Sequence, residues 1–303
     1  MAVADTASAF DSGHLDQVHD AQMDYYGKRI ATCSSDRTIK VFDIVANQPT
    51  PSADLLGHEG PVWQVTWAHP KFGSLLASCS FDHKVIVWKE VQRGQWIQVY
   101  SSPVHTASVN SICFGPHELG LSLATASSDG SVAILTHQQD GTWTTSKIER
   151  AHSMGAMAVS WAPATPPGCL LSAKPPSNPD RRLVSSGCDN SVRVWQLDAA
   201  SGQWAQQGPA LSGHSDWVRD VAWAPNLGLP RSTIASCGQD GRVLLWQEEA
   251  AGGWRSTALP TFDGPVWRVS WSVMGNVLAV SEGTSNVTLW KEAVDGDWQQ
   301  VSA

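Results

Sequence analysis

Apolar and polar residues alternate in short runs along most of this chain. Examples are "VWQVTW" at residues 62–67, "LLASCS" at 75–80 and "VIVW" at 85–88, with Gly, Asp or Pro between the runs. This period of two is typical of consecutive antiparallel β-strands, and no stretch sustains the period of an amphipathic helix. The pattern therefore predicts an all-β protein whose short strands are joined by tight turns.

The alternating runs belong to an internal repeat. Six segments match one another, at residues 34–44, 80–90, 127–137, 187–197, 238–248 and 281–291. Their turn residues, Asp36, Asp82, Asp129, Asp189, Asp240 and Thr284, are spaced by 46, 47, 60, 51 and 44 residues. The longest interval contains a Pro-rich insertion at residues 163–182, which we interpret as a surface loop.

Repeats of this length, with four strands in each, match the blades of a WD-type β-propeller. We therefore predict one all-β domain over residues 1–303, a six-bladed WD-repeat β-propeller. The predicted blades span residues 15–56, 57–103, 104–150, 151–211, 212–260 and 261–303.

Five of the repeats have a His, a Ser or Thr and an Asp at matching positions. In a WD repeat such residues form a tetrad with a strand Trp inside one blade, where buried polar groups need hydrogen-bond partners. The predicted structural tetrads are His19, Thr32, Asp36 and Phe42; His58, Ser78, Asp82 and Trp88; His105, Thr125, Asp129 and Leu135; His152, Ser185, Asp189 and Trp195; and His214, Ser236, Asp240 and Trp246.

The sixth repeat lacks this set, because Phe262 or Asp263 stands at the His position and Thr284 replaces the Asp. We expect packing of three tryptophans to hold this blade, namely Trp267, Trp271 and Trp290. A second group of tryptophans lies where the outermost strands are predicted to begin, and we expect it to stack on neighbouring blades. Its members are Trp96, Trp143, Trp204, Trp254 and Trp298.

The combination of Ser, His and Asp also occurs in nucleophilic active sites, but an active site needs one copy and this set recurs five times. Beyond it the sequence has no nucleophile elbow, phosphate loop or metal-ligand spacing such as HExxH or CxxC. We therefore predict no enzymatic activity, no catalytic or metal-binding residue and no cofactor.

The charge balance bears on possible partners. The formal net charge is −8, from 20 Lys and Arg against 28 Asp and Glu, and the basic residues are scattered singly. This argues against direct binding of nucleic acid or insertion into a membrane. Without a signal-peptide pattern or a long apolar run, the chain is expected to be soluble and not secreted. We interpret the cysteines as small buried residues in a reducing compartment: Cys33, Cys79, Cys113, Cys169, Cys188 and Cys237.

The two ends of the repeat array bear on how the propeller closes. The first and last repeats each contain a full set of predicted strands, so all six blades are expected to be self-contained. Either the six blades close by side-chain packing alone, or the ring stays open and offers unpaired strand edges to another chain. Residues 10–18 are a candidate for an additional strand.

Five phrases are more specific than a general WD pattern: "HDAQMDYYGKRIATCSSDRTIKVFD", "GHEGPVWQVTWAHPKFGSLLASCSFDHKVIVWKE", "CDNSVRVWQ", "HSDWVRDVAWAPNLGLPRSTIASCGQDGRV" and "VTLWKEAVDGDW". They closely resemble the Sec-thirteen family, the small WD-repeat subunit of the outer cage of the COPII vesicle coat. The resemblance covers essentially the whole chain. It implies an open propeller completed by a blade from a partner, which is the large cage subunit with its propeller and α-solenoid. In the Y-shaped scaffold of the nuclear pore complex a solenoid nucleoporin donates the blade, and the resemblance also implies membership of a nutrient-signalling complex.

On this interpretation the protein is a non-enzymatic scaffold for transport from the endoplasmic reticulum to the Golgi. It is expected on the cytoplasmic face of the endoplasmic reticulum and on COPII vesicles, at the nuclear pore complex and in the cytosol. The candidate partner-binding residues at the blade edges are Leu15, Val18, Met23, Val266, Trp267, Trp298 and Val301. The alternative is a WD-repeat adaptor that binds a short peptide through the loops containing Glu59, Ser153, Asp216 and Asp263.

Overall fold

The computed structural model describes residues 10–165, 167, 180–226, 231–249, 252–284, 286–293 and 295–301. Within them the chain forms 25 β-strands and two short 3-10 helices, at Pro70–Phe72 and His117–Leu119. Residues 168–179 of the predicted surface loop, which include Cys169, lie outside the described residues. The chain divides into two compact units, Met1–Pro103 and Val104–Ala303.

The first unit contains two sheets, each with four antiparallel strands in chain order. The first sheet consists of β1 (Val18–Met23), β2 (Arg29–Ser34), β3 (Thr38–Val45) and β4 (Gln48–Leu56). The second consists of β5 (Val62–Trp67), β6 (Leu75–Ser80), β7 (Val85–Gln92) and β8 (Gln95–Ser102). Apolar side chains of the two sheets form one core, in which Ile39 and Val41 of the first sheet pack with Leu76 and Ile86 of the second.

The second unit contains four sheets. The third sheet consists of β9 (Val109–Phe114), β10 (Ser122–Ser127), β11 (Val132–His137) and β12 (Trp143–Ile148). The fourth consists of β13 (Ala156–Trp161), β14 (Arg182–Gly187), β15 (Ser191–Leu197), β16 (Trp204–Gln206) and β17 (Leu211–Ser212). The fifth consists of β18 (Val218–Trp223), β19 (Thr233–Gly238), β20 (Val243–Glu248) and β21 (Trp254–Ala258). The sixth consists of β22 (Val266–Trp271), β23 (Val277–Glu282), β24 (Val287–Glu292) and β25 (Trp298–Val301).

Each sheet is formed by one continuous stretch of chain, as the repeat predicts. The fold is the predicted all-β fold, a six-bladed WD-repeat β-propeller, and each sheet is one blade. In the fourth blade two short strands, β16 and β17, both pair with β15. Ser212 of β17 lies one residue beyond the predicted end of that blade.

The first strand of most blades has a bulge directly after its first residue. The register shifts between Val18 and Asp20, between Val62 and Gln64, and between Val218 and Asp220, and likewise in the fourth and sixth blades. A bulge changes the direction in which the extra side chain points. The side chain of the second residue in each of these strands therefore does not follow the regular alternation between the two faces of the sheet.

Candidate partner-binding surface

The tetrad aspartate organises the turn between the second and third strands of a blade. In the second blade, Asp82 accepts the backbone N–H groups of Glu59 and Lys84, each at 2.9 Å. The residue after it, His83, has a φ of 69°. A non-glycine residue in this left-handed conformation is strained, and local hydrogen bonds to the aspartate stabilise the turn.

The histidine links this turn to the middle of the sheet. His58 Nδ1 donates to Asp82 Oδ2 at 2.9 Å, because a carboxylate only accepts, and Nε2 lies 2.8 Å from Ser78 Oγ. Ser78 Oγ also accepts the indole N–H of Trp88 at 2.9 Å. Ser78 is fully buried, so its hydroxyl is out of reach of a substrate and the set connects strands instead.

The same arrangement recurs in the fourth and fifth blades. Trp195 donates to Ser185 at 2.8 Å, and Trp246 donates to Ser236 at 2.9 Å. The third blade has only the first three members, because Leu135 has no N–H for Thr125. Its set keeps His105 and Asp129, with 3.2 Å between His105 Nδ1 and Asp129 Oδ2.

The fourth and fifth blades form the remaining bonds between histidine, hydroxyl and aspartate. His152 lies 2.9 Å from Asp189 and 2.7 Å from Ser185. His214 lies 3.1 Å from Asp240 and 2.9 Å from Ser236. The predicted tetrad residues of these blades are therefore in direct contact.

The first blade uses His14, and the prediction of His19 is wrong. His14 Nδ1 lies 2.8 Å from Asp36 Oδ2, and Nε2 lies 2.9 Å from Thr32 Oγ1. His19 is in β1, where it bonds with Ser35 Oγ at 2.6 Å. The sequence contained the signal: His14 follows a Gly and precedes the first strand by four residues, as do His58 and His214. The first blade therefore begins before residue 15.

The tetrads shift the pKa values of their ionisable groups. Burial alone would raise the pKa of the Asp82 carboxyl, but the hydrogen bonds from His58 and the N–H of Glu59 outweigh it and hold this pKa well below its usual range. The pKa values of the other four tetrad aspartates, Asp36, Asp129, Asp189 and Asp240, are also lowered. Burial lowers the pKa of His105 and His214 despite the adjacent carboxylates.

The sixth blade replaces the polar set with apolar packing. Phe262 stands four residues before β22, at the His position, and its ring contacts Trp290 edge-on with 6.1 Å between the centroids. Val280 stands at the Ser position, and the N–H of Trp290 donates to Thr288 instead, at 2.9 Å. Trp271 and Trp290 pack in the core with the fifth blade, as expected. The expectation for Trp267 is wrong, because its ring is 47% exposed.

The tryptophans that begin the outermost strands contact rings of their own blades. The ring centroids lie 6.0 Å apart for Trp96 and Trp67, and 5.8 Å apart for Trp298 and Trp271. The pairs of Trp204 with Trp161 and of Trp254 with Trp223 are alike, whereas Trp143 contacts His137. Four of these tryptophans also pack against a core that their blade shares with the preceding one, as expected, and these are Trp96, Trp204, Trp254 and Trp298. Trp271, in the first strand of the sixth blade, also donates a hydrogen bond from Nε1 to Ala222 O of the fifth blade at 3.1 Å.

The predicted partner-binding residues are in different environments. Leu15 is 94% exposed, and Val18, Met23, Trp267 and Val301 are also exposed. Trp298 is partly buried against Trp271. Val266 is fully buried in the core between the fifth and sixth blades, so its prediction as a partner contact is wrong. Val266 is the first residue of β22, and an apolar residue at the beginning of a strand is compatible with both an exposed blade edge and the core.

A partly exposed sheet face of the sixth blade was not predicted from the sequence. It carries Ala279, Ser281, Val287 and Leu289, of which Val287 is 64% exposed. The equivalent side chains are buried in the other blades of this unit: Ala124, Ala126, Val132 and Ile134; Val184, Ser186, Val192 and Val194; and Ala235, Cys237, Val243 and Leu245. We call the four residues of the sixth blade the open face. Alternation along β23 and β24 places them on one side of the sheet, and this was the available signal.

The tetrad side of the first blade is covered by the chain that precedes it. The ring of Phe10 packs edge-on against the buried Phe42, with 5.2 Å between the centroids. The N–H of Leu15 donates to Asp36 at 3.0 Å, and Ser34 Oγ donates to the carbonyl of Asp16 at 3.1 Å. Residues 10–17 therefore lie against this blade and add no strand to it.

The remaining chemistry of the chain concerns metal sites, membrane-spanning helices and cysteines. Among the described residues, no group of three or more His, Cys, Asp or Glu side chains is placed to hold a metal ion. The part of the chain that the structure describes has no helix that is long and apolar enough to cross a membrane. Cys113 is a free thiol, and burial raises its pKa to about 11. Cys33, Cys79 and Cys237 are free and buried, and Cys188 is free and partly buried.

Comparison with known proteins identifies the family to which this chain belongs. The family model of the WD domain, G-beta repeat, matches residues 7–43, 49–89, 96–134, 168–196 and 206–247, and the sixth blade lies outside these matches. "Protein transport protein SEC13" of Mycosarcoma maydis is 48% identical over 99% of this chain and 95% of its own length. "Protein SEC13 homolog" of Drosophila melanogaster is 50% identical over 96% of this chain and 82% of its length. "Protein transport protein sec13" of Emericella nidulans is 49% identical over 99% of this chain and 98% of its length. With blades, tetrads and relatives in agreement over nearly the whole chain, this protein belongs to the SEC13 family of WD-repeat proteins.

Proposed function

We propose that this protein is a non-enzymatic scaffold subunit of vesicle transport from the endoplasmic reticulum to the Golgi, within the outer cage of the COPII coat. It binds the large cage subunit, which donates a β-blade. The observation that carries this proposal is the open face of the sixth blade, because its equivalents are buried in the preceding blades. The names of relatives from Mycosarcoma maydis and Emericella nidulans, which refer to protein transport, support the same function.

The chemistry of the open face fits a sheet rather than a charged ligand. Ala279, Val287 and Leu289 are apolar and Ser281 is small, which is the composition of the buried faces in the other blades. Packing another blade on this face would remove apolar surface from water, at about 25 cal/mol for each Å². A donated blade would also extend the face-to-face packing by which the fifth and sixth blades already share a core.

The same face would accept a blade from a solenoid nucleoporin at the nuclear pore complex. Since one blade fills the face, the two partners are expected to exclude each other. The protein would then be present on the cytoplasmic side of the endoplasmic reticulum, on COPII vesicles, at the nuclear pore complex and in the cytosol. Its attachment to membranes would depend on the partner subunits.

The test is co-expression of the full chain with the blade-and-solenoid fragment of the large cage subunit. The expected result is a one-to-one complex with a raised thermal midpoint. V287E should abolish the complex because a carboxylate would be buried without a partner. The free V287E chain should keep its midpoint, since Val287 is already exposed.

V273E is the matched control, because Val273 is 81% exposed in the turn between β22 and β23, away from the open face. It should bind the fragment as the unmodified chain does. A complex that forms equally well with V287E, or no complex together with a fully stable free chain, would overturn the proposal. The second outcome would favour the peptide-binding adaptor.

A further inference from the structure

Two tryptophans and an arginine form a stack where β18 and β22 begin. Arg219 Cζ lies 5.2 Å from the ring centroid of Trp217 and 4.8 Å from that of Trp267. Trp217 is 42% exposed, and Trp267 is similarly exposed. Large exposed indoles are uncommon on a folded protein, and two that contact the same guanidinium form a surface patch of defined composition.

The bulges and a glycine explain the geometry of this stack. Arg219 and Trp267 are the second residues of their strands, at the register shifts that redirect these side chains. A Cβ atom at Gly283 would lie 3.2 Å from the indole nitrogen of Trp267. The indole therefore lies close to the backbone at Gly283, and a larger residue at this position would crowd it.

Hydrogen bonds orient the guanidinium without neutralising it. Arg219 Nε and Nη2 both donate to Gln239 Oε1, at 2.9 and 2.6 Å. Within the described residues, its other N–H groups have no protein acceptor and no carboxylate forms an ion pair with it. Arg182 shows the contrast: it also stacks on a tryptophan, but it donates to the carboxylate of Glu248 at 2.8 Å.

The free edge of the Arg219 guanidinium is suited to a carboxylate, because Nη1 and Nη2 can donate two parallel hydrogen bonds to its oxygens. The flanking indoles offer apolar surface to the neighbours of that carboxylate. Asp216 and Asp263 are exposed in the loops that enter the two strands. These two negative charges would repel a ligand with several acidic residues in a row. They therefore favour a ligand that has one carboxylate between apolar side chains.

We propose that Trp217, Arg219 and Trp267 form a binding site for a single glutamate or aspartate side chain flanked by aliphatic residues, in an extended segment of a partner protein. This site goes beyond the scaffold function, and it is formed by residues other than the open face. Tryptophan and arginine are also the residues that most often dominate the binding energy of protein interfaces. A rigid stack loses little side-chain entropy when a ligand binds.

The test uses the full chain labelled with 5-fluorotryptophan and observed by fluorine NMR, with W217F and W267F to assign the two signals. The probe is the blocked peptide Ac-Gly-Leu-Glu-Leu-Gly-amide, and the matched probe has Gln in place of Glu. We expect both assigned signals to shift saturably with the Glu peptide. The Gln peptide should bind about tenfold more weakly, as expected for loss of a charge-assisted pair.

R219Q should remove the preference for Glu, whereas R219K should keep part of it because the charge remains without the planar fork. R255Q is the control, since Arg255 is exposed in β21 away from the stack, and it should behave as the unmodified chain does. Equal binding of the two peptides, no shift at saturating peptide, or a preference that persists in R219Q would overturn the proposal. If R219Q fails to fold, R219K decides the question. Binding of the donated blade should be unchanged in R219K, so this test is independent of the proposed function.

Discussion

The fifth and sixth blades have nearly the same strand pattern and different environments. In the fifth blade, the faces that carry Leu244 and Leu245 are both buried, and Ser236 joins His214 to Trp246. In the sixth blade one face packs against the fifth, while the open face remains partly exposed and Val280 replaces the Ser. A blade with a neighbour on each face can bury a polar network in its interior. The terminal blade has lost that network and keeps an apolar surface.

The largest expected difference between the two blades comes from a matched pair of leucines. L245A should lower the free energy of unfolding by about 2–5 kcal/mol, because Leu245 is fully buried and its truncation leaves a cavity. L289A should cost about 1 kcal/mol or less in the free chain, since Leu289 is only partly buried. Urea denaturation of both variants measures this difference. Equal losses would show that the open face is already covered in solution.

The next difference concerns the hydroxyl groups. S236A should cost about 2–3 kcal/mol, because it leaves His214 Nε2 and Trp246 Nε1 buried without their partner. T288V removes the acceptor of Trp290 Nε1 at a position near the surface and should cost about 0.5–1 kcal/mol. Thermal or urea unfolding compares the two. If T288V costs as much as S236A, the hydrogen bond of the sixth blade contributes as much as the tetrad does.

Acid should weaken the fifth blade more than the sixth. The pKa of His214 is lowered by burial, and that of Asp240 is lowered because hydrogen bonds outweigh burial. As pH falls, the unfolded chain therefore binds more protons than the folded chain does, at His214 below about pH 6.5 and at Asp240 below about pH 4. The free energy of unfolding therefore decreases on acidification. Hydrogen exchange, corrected for its intrinsic pH dependence, should show amides of β19 and β20 losing protection before those of β23 and β24. D240N should reduce the dependence below pH 4, and parallel loss in both blades would contradict this account.

The smallest net effect on stability is expected when the tetrad of the fifth blade is introduced into the sixth by substitution. The triple variant F262H/V280S/T284D places the polar set of the fifth blade at equivalent positions in the sixth, where Trp290 already provides the indole. Its stability at pH 7 should change by less than about 1 kcal/mol, because buried hydrogen bonds gain little over good apolar packing. The measurable change is a steeper loss of stability on acidification. A variant without added acid dependence would show that Phe262 and His214 do not occupy equivalent positions.

Much of this architecture could be predicted from the repeat. The period of two and the turn residue that recurs in each repeat were sufficient to predict six blades, because strands and turns depend on nearby residues. They did not predict the fifth strand of the fourth blade, β17. The exception in the first blade is instructive. The tetrad His lies outside any strand, so strand pattern alone could not choose between His14 and His19. The spacing of four residues to the first strand distinguishes them once the strand boundary is known.

Partner contacts were predicted less well. Val266 and Val287 are both valines at the beginning of a strand, yet one is fully buried and the other is largely exposed. Hydrophobicity identifies a residue that favours burial, but it does not identify which neighbour covers it. The stack of Trp217, Arg219 and Trp267 lies at the beginnings of two strands that start 48 positions apart in sequence, so its assembly depended on packing between blades.

The sequence by itself determined the repeat, the all-β fold, the polar sets of the second to fifth blades and the absence of such a set in the sixth. These features follow from local alternation and fixed spacing. The tertiary structure decided which faces are buried and which His completes the first tetrad. It also brought Arg219 against two indoles, with no carboxylate among the described residues paired to it. The physical reason is that burial and pairing belong to surfaces brought together by the fold. The type of a residue determines whether it favours burial or needs a hydrogen-bond partner. Its neighbours in the folded chain determine whether it is buried and paired, or remains available to a partner protein.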